Sequence, residues 1–306
     1  MISYGVRCYK SENLCDWTDI GLIIPPDTDD KESPLHPTSK AERPHIVYNR
    51  KTKKYVCFLK VIMPDGTQKT TILTSDSFLG GYKIVRKNWQ PLGKNAGDFD
   101  LQTDEETGKA YYIFEEVHSR LIIAELTEDY LDTTGVYSVH FENGCPPYVR
   151  EAPAHFMRNG KHYLVTSGTT GYYPNPSQLA VSDNWHGPYK ILNNPHLNDI
   201  SQTSYHSQIS SVFKVDGKDL YIACADRWLP DRMFLEYDMY AKLFEVSHTK
   251  GLKADWSAVE KQCASHGVDM MPDISKADYV WLPFRFENEN GILEWRNEWC
   301  PGIKFY

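Results

Sequence analysis

Four polar side chains recur at near-equal intervals along the 306-residue chain: Glu42, Asp98, Glu151 and Gln208, spaced 56, 53 and 57 residues apart. Each stands just before a strand-like run. Three of the four are carboxylic acids. A pair of carboxyl groups facing each other across a pocket can cleave a glycosidic bond.

Each residue also has an ordinary reading. Glu151 lies in the stretch Val149-Arg150-Glu151-Ala152-Pro153-Ala154 and has Arg150 as a ready ion-pair partner. Glu42 has Arg43 beside it, Asp98 fits a turn acid, and Gln208 fits a core amide. The shared phase argues against four separate coincidences. A glutamate in a partly desolvated pocket near another carboxylate has a raised pKa and donates a proton near neutrality. Glu151 is the candidate for that role. Asp98, one repeat earlier, would stay ionised, raise the pKa of Glu151 and bind a sugar hydroxyl. Other chemistries find less support. Ser207 and His206 are neighbours in sequence, and neighbours on a strand point to opposite faces. His155 and His206 are minor candidates for the channel. No nucleophile elbow, P-loop or H-E-x-x-H pattern occurs.

The period of about 55 residues points to the elements that must carry these side chains, the blades of a β-propeller. Strand-like segments recur after each of the four residues, as in KYVCFLKVI, KAYYIFEE, KHYLVTSG and DLYIACAD. Polar turns such as Arg158-Asn-Gly and Asp216-Gly join them as hairpins. The ten residues from Ser75 match the ten from Ser182 at six positions, an offset of about two periods. The expected fold is all-β, a five-bladed propeller within one domain spanning residues 1–306. Its first blade has only an outer half, over residues 5–24. Either residues 302–306 close the ring or the chain is shortened. Residues 229–277 interrupt the fifth blade between its second and third strands. They read as two helices, with Asp255 as N-cap of the second, forming an insertion, a cleft wall or an oligomer contact.

Composition narrows the partners. A net charge of −8 argues against a nucleic-acid surface. No run of 18 apolar residues exists, so no membrane span is expected. Residues 1–7 lack the apolar core of a signal peptide. Seven scattered cysteines without a C-x-x-C pair make zinc unexpected and read as buried free thiols. The 20 Tyr, 12 Phe and 8 Trp suit strands, and a share of them suits the flat apolar faces of sugars. Nothing in the sequence sets an oligomeric state.

The segments GVRCYKSENLCDW, AERPHIVYN, GDFDLQTDEETGKAYYIF, REAPAHFMRNGKHYLVTSGTTGYYPNPSQLAVSDNWHGPYK, HSQISSVF, ADRWLP and YVWLPFRFENENGILEW together resemble glycoside hydrolase family 43. The resemblance is closest to its exo-β-1,3-galactanase-like branch (subfamily 24, or neighbouring subfamily 34). It covers most of the chain outside 229–277. It implies a five-bladed propeller and inverting, exo-acting hydrolysis of β-1,3-linked galactan. An α-L-arabinofuranosidase, a β-galactofuranosidase, a β-xylosidase or an inactive glycan-binding propeller are the alternatives. It implies Glu151 as general acid, with Asp98 as the modulator of its pKa and a substrate ligand. The usual aspartate base is missing in this branch. Gln208 is placed to orient water, and either its imidic tautomer or Glu42 takes the proton. In both routes water must fit opposite Glu151, so the carboxyl groups should stand roughly 6.5–9.5 Å apart.

By the same resemblance Tyr172, Tyr173 and Asn175, in the loop Gly168–Asn175, contact substrate, and Asp226 and Trp228 are further candidates. Arg227 would be a structural partner of Asp226. No cofactor is required, a structural calcium in the central channel is allowed, and the partner is an oligo- or polysaccharide. The resemblance places the protein outside the cytoplasm, extracellular or periplasmic. Three departures stand out. The family's N-terminal His-Gly-Gly and Tyr-Trp-Tyr-Gly stretches are missing, which would remove one wall of the pocket. The insertion is foreign to the pattern. Position 97 is glycine where many members have arginine.

Overall fold

The computed structural model describes residues 4–63, 67–142, 144–228, 237–249, 261, 264–265 and 277–301. Their strands fold as antiparallel meanders in chain order. A two-stranded sheet comes first, with β1 (Val6–Lys10) and β2 (Thr18–Ile24). Four four-stranded sheets follow. The first holds β3 (Lys40–Asn49), β4 (Lys54–Ile62), β5 (Gln68–Ser75) and β6 (Lys83–Trp89). The second holds β7 (Ala96–Thr103), β8 (Ala110–Glu116), β9 (Arg120–Leu126) and β10 (Thr133–His140). The third holds β11 (Arg150–Arg158), β12 (Lys161–Gly168), β13 (Gln178–Ser182) and β14 (Lys190–Ile191). The fourth holds β15 (Gln208–Lys214), β16 (Tyr221–Arg227), β17 (Asp278–Glu287) and β18 (Asn290–Leu293). The arrangement is all-β and propeller-like, with four complete blades among the described residues.

The strand sequences explain the stacking. Side chains alternate faces along a strand, so a strand covered on both sides must be apolar throughout. Tyr112 and Phe114 of β8 pack towards β4 and β5, whereas Tyr111 and Ile113 of the same strand pack towards β12 and Trp185. Likewise Val56 and Phe58 face the second complete blade, and Cys57 and Leu59 face Ile23 and Ile24 of β2. Each apolar cluster therefore fills the gap between two neighbouring sheets. The last two blades share Phe156, Tyr163, Tyr221 and Phe284.

The internal repeat has a physical basis. Ser75 and Ser182 end the third strands of their blades, and the hydroxyl of each accepts a backbone N–H two residues on, from Ser77 at 3.0 Å and Asn184 at 3.1 Å. Tyr82 and Tyr189 then donate to the carbonyls of Phe78 and Trp185, both at 3.2 Å. The shared residues build one turn twice.

The two-stranded sheet, where the shortened blade was expected, is held from both sides. Its β2 packs on β4 and β5, and Trp17 meets Trp281 of β17 edge-on at 5.0 Å. A disulfide joins Cys15 to Cys300, residues 285 apart. This corrects the expectation of free thiols throughout; Cys8, Cys57, Cys145 and Cys224 are free. The pair is invisible to spacing rules because only closure of the ring brings the two ends together.

Within the expected insertion, the described residues show α1 (Tyr237–Thr249), with Asp238 in its first turn where an acid suits the helix dipole. Tyr240 stacks on Tyr173 at 4.3 Å, so the helix lies over the loop that follows β12. Of the proposed second helix, residues 261, 264 and 265 are described and are helical, whereas its cap Asp255 and the closing role of residues 302–306 lie outside the described residues. No described helix is long and apolar enough to cross a membrane.

A cross-link closing so long a loop contributes about 2–4 kcal/mol. The double variant Cys15→Ser/Cys300→Ser should therefore melt roughly 3–6 °C below the wild type. Calorimetry checks this, and thiol titration of the unreduced, denatured chain showing both cysteines free would contradict it.

Candidate active site

The innermost strands β3, β7, β11 and β15 line the centre and carry Glu42, Asp98, Glu151 and Gln208 respectively. Each of these strands has one extra residue against its neighbour at this point. The shifts fall between Glu42 and His45, Ala96 and Phe99, Glu151 and Ala154, and Ile209 and Ser211. Such bulges bend a strand and re-aim its side chains. Arg43 and Ala152, at φ 51 and φ 47, lie in the left-handed region that residues with a Cβ seldom adopt. Strain of this kind persists where surrounding contacts enforce it. Here it turns the chain directly after Glu42 and Glu151.

Two buried cations organise the centre. Lys60 Nζ of β4 donates to Asp98 Oδ1 at 2.8 Å and pairs with Glu42 Oε2 at 2.8 Å. Arg43 Nε pairs with Asp98 Oδ1 at 2.9 Å, and its Nη2 donates to Gln208 Oε1 at 2.6 Å. Burial alone would raise the Asp98 pKa, but Arg43 and Lys60 overcome it and hold the group down at about 2. Burial disfavours the Lys60 charge too, yet Asp98 and Glu42 keep its pKa above the usual lysine range.

Glu151 meets the opposite environment. It is 8% exposed and has no lysine or arginine partner of its own among the described residues. Its Oε1 accepts from Gln208 Nε2 at 3.2 Å. Burial first, then the charges of Glu115 and Asp98, push its pKa well above the carboxylate range, and Arg43 and Lys60 only partly oppose them. Arg150 does not neutralise it. That guanidinium points to the other face and donates to Thr166 Oγ1 at 2.9 Å and the Thr166 carbonyl at 2.7 Å. Both amide hydrogens of Gln208 are engaged, since its Nε2 also donates to Ser167 Oγ at 2.7 Å, and its Oε1 keeps one lone pair beside the Arg43 bond.

The remaining candidates divide. Tyr172 donates to Glu42 Oε1 at 3.4 Å and meets Trp228 edge-on at 5.6 Å, so these two aromatics stand at the rim of the same cluster. Asp226 pairs in register with Gln208; burial raises its pKa, with Arg43 opposing. Arg227 is not its partner: it donates to the Tyr205 carbonyl and lies over the Trp295 ring. Tyr173 and Asn175 are not brought into the cluster. Tyr173 is buried against α1. Asn175 Oδ1 accepts from Gly168 N–H at 2.6 Å, and its Nδ2 donates to the Gly168 carbonyl and Thr170 Oγ1. Both hold the loop that presents Tyr172. His155 also lies elsewhere, stacked on Trp185 and bonded to His162 at 3.1 Å between blades.

Sequence reasoning missed Lys60, Glu115 and Ser167, all on second strands. Lys60 had a signal, as a lone charge inside the apolar run KYVCFLKVI. Also unforeseen is Asp100, which accepts from the His155 backbone N–H at 2.7 Å and pairs with His45 Nδ1 at 3.0 Å. It thereby clips β7 to β11 and β3 below the site.

Among the described residues, one trio of side chains lies close enough to share a cation: Glu115, His118 and Glu151, within 4.8 Å of one another. Calcium takes six to eight oxygen ligands. Two carboxylates, one already accepting from a backbone N–H, and an imidazole do not fit it. The expectation of a channel calcium therefore finds no suitable donor set here.

The raised pKa of Glu151 has a consequence for stability. Between its unfolded value near 4.5 and its higher folded value, the folded state holds a proton that the unfolded state releases. Stability from this group thus falls as pH rises above about 4.5. Glu151→Gln should melt higher than the wild type at pH 7 and lose that advantage towards pH 4. Melting curves across this range check it, and a constant difference would contradict the raised pKa.

Solved structures of known proteins share the fold. The chain resembles a family 43 β-1,3-galactosidase at 27% identity and TM-score 0.75, covering 97% of this chain and 54% of that one. It thus spans about half the length of that relative. An exo-β-1,3-galactanase from Phanerochaete chrysosporium shares 18% identity at TM-score 0.72, covering 95% of this chain and 56% of that one. An exo-β-1,3-galactanase from Clostridium thermocellum shares 24% at TM-score 0.68, covering 95% and 55%. No curated protein sequence matches. The model for glycosyl hydrolases family 43 matches residues 3–232, three quarters of the chain, and the chain belongs to that family.

Proposed function

We propose that this protein is an exo-acting, inverting glycosidase that releases galactose from β-1,3-linked galactan. The observation that carries the reading is the contrast between two buried carboxyl groups in one cluster. Asp98 is paired with Arg43 and Lys60, whereas Glu151 has no lysine or arginine partner among the described residues and its pKa is pushed well above the carboxylate range. A glycosidic oxygen needs a proton donor as its bond breaks, and Glu151 is that donor. The β-1,3-galactosidase and exo-β-1,3-galactanases it resembles support the choice of sugar and linkage.

On the opposite side Gln208 orients water and Glu42 takes its proton. An imidic glutamine would carry hydrogen on its oxygen, but Arg43 already donates to that oxygen at 2.6 Å. This contact favours the ordinary amide. Among the described residues Glu42 Oε1 has only the long 3.4 Å bond from Tyr172 and is open to accept. Asp98 serves as substrate ligand and anchor for both cations. Tyr172, Trp228 and Asp226 contact the sugar, and Tyr173 and Asn175 support them from behind.

Residues 1–306 act as one catalytic unit, a five-bladed ring in which β1 and β2 stand for a reduced first blade. Residues 229–277 are an insertion whose helix α1 backs the Tyr172 loop. The Cys15–Cys300 disulfide supports a place of work outside the cytoplasm, where such bonds persist.

Glu151→Gln should lower kcat on β-1,3-galactan by a factor of about 10² to 10⁴ while leaving the circular dichroism spectrum unchanged. NMR of the wild-type reaction should show the inverted, α anomer of galactose first. Full activity in the variant, or initial release of the β anomer, would overturn the reading. Binding without turnover by the wild type would mark a glycan-binding propeller instead.

A further inference from the structure

Glu115 is one of the most deeply buried carboxyl groups in the structure, 2% exposed, at the end of β8. Its carboxylate and that of Glu151 lie within 4.8 Å. Its Oε1 accepts the backbone N–H of His118 at 2.6 Å and lies 3.3 Å from the His118 Nδ1 atom. On the other side its Oε2 occupies the space where a Cβ of residue 97 would stand, so only glycine fits there unless Glu115 moves. Gly97 directly precedes Asp98. Any larger side chain would press on this carboxylate.

We propose that Glu115 is a positioning residue for the acid: its buried negative charge beside Glu151 holds the catalytic proton on Glu151. The proposal rests on the reading of Glu151 as general acid. The geometry assigns this work to Glu115 ahead of Asp98. Asp98 shares its oxygen with Arg43 and Lys60, so its field at Glu151 is largely cancelled. Glu115 has no lysine or arginine within ion-pair distance among the described residues, only His118. Two like carboxyl groups this close cannot both ionise cheaply. Each accepts one hydrogen bond, Glu115 Oε1 from His118 N–H at 2.6 Å and Glu151 Oε1 from Gln208 Nε2 at 3.2 Å, and the shorter bond, with the His118 ring 3.3 Å away, stabilises negative charge at Glu115 better than at Glu151.

The other charges facing Glu151 are Asp98 from β7, Arg43 from β3 and Lys60 from β4. Glu42 and Asp226 act at one remove, through Lys60 and Arg43. The His118 side chain is 48% exposed, so it samples bulk pH, and when protonated it offsets Glu115.

The test is a carboxyl titration, which needs no turnover. The full chain is labelled with ¹³C at the glutamate side-chain carboxyl, and Glu151→Gln identifies the Glu151 resonance. In Glu115→Gln the Glu151 midpoint should fall by about one pH unit or more. Gly97→Ala, which keeps the charge but displaces it, should move the midpoint down by less. A midpoint in Glu115→Gln within about 0.3 pH unit of the wild type would overturn the proposal, as would no movement in Gly97→Ala should Glu115→Gln fail to fold. The two readings fail separately. A shifted midpoint with an active Glu151→Gln enzyme removes the catalytic role of Glu151 and leaves the Glu115 effect standing. An unmoved midpoint with an inactive Glu151→Gln enzyme does the reverse.

Discussion

One ammonium group shared by two carboxylates determines the chemistry of this centre. Lys60 lies between Glu42 and Asp98 at 2.8 Å from each. Removing an ion from water costs several kcal/mol, and only close, well-bonded partners offset it. With Arg43 beside them, two cations and two carboxylates form a compact, nearly neutral set. That set leaves Glu151 without a lysine or arginine partner among the described residues, in the same dry space. A carboxyl group so placed lowers its free energy by holding a proton. The placing of the cations thus holds the Asp98 pKa down and leaves burial and the neighbouring carboxylates to raise that of Glu151.

The fold supplies that arrangement through repetition with local variation. Every innermost strand carries the same one-residue bulge, so every blade aims a side chain at the centre from an equivalent place. The blades differ in what the second strand offers beside it. Beside Glu42 it gives Lys60, opposite the bulge at Asp98 it gives Glu115, beside Glu151 it gives Ser167, and beside Gln208 it gives Asp226. Asp100 and the Arg43–Gln208 bond connect the inner strands across blade boundaries. Rigid elements and interlocking polar contacts of this kind suit a site whose groups must not drift.

The equal spacing of Glu42, Asp98, Glu151 and Gln208 was legible because propeller blades are equal units, and phase in sequence becomes phase in space. The strand runs were legible because burial on both faces demands continuous apolar stretches. Partners across strands were not. Arg43 and Arg150 stand next to Glu42 and Glu151 in sequence, yet pair with Asp98 and with Thr166 instead. Alternation sends adjacent side chains apart, and register decides whom they meet. Glu115 drew no reading from the sequence; only its register and the space left by Gly97 reveal its burial. Tyr173 and Asn175 sit in a loop that the family resemblance assigns to sugar contact, but hydrogen bonding and the helix above employ them in holding its shape. The disulfide depended on ring closure across 285 residues, which no local pattern encodes.

The central claim is the division of charge between Asp98 and Glu151, and neutron diffraction from deuterium-exchanged crystals near neutral pH tests it most directly. The account predicts a deuteron on the Glu151 carboxyl group, none on Asp98, and three on Lys60 Nζ directed at its carboxylate partners. A bare Glu151 carboxylate, or a deuteron on Asp98, would contradict it.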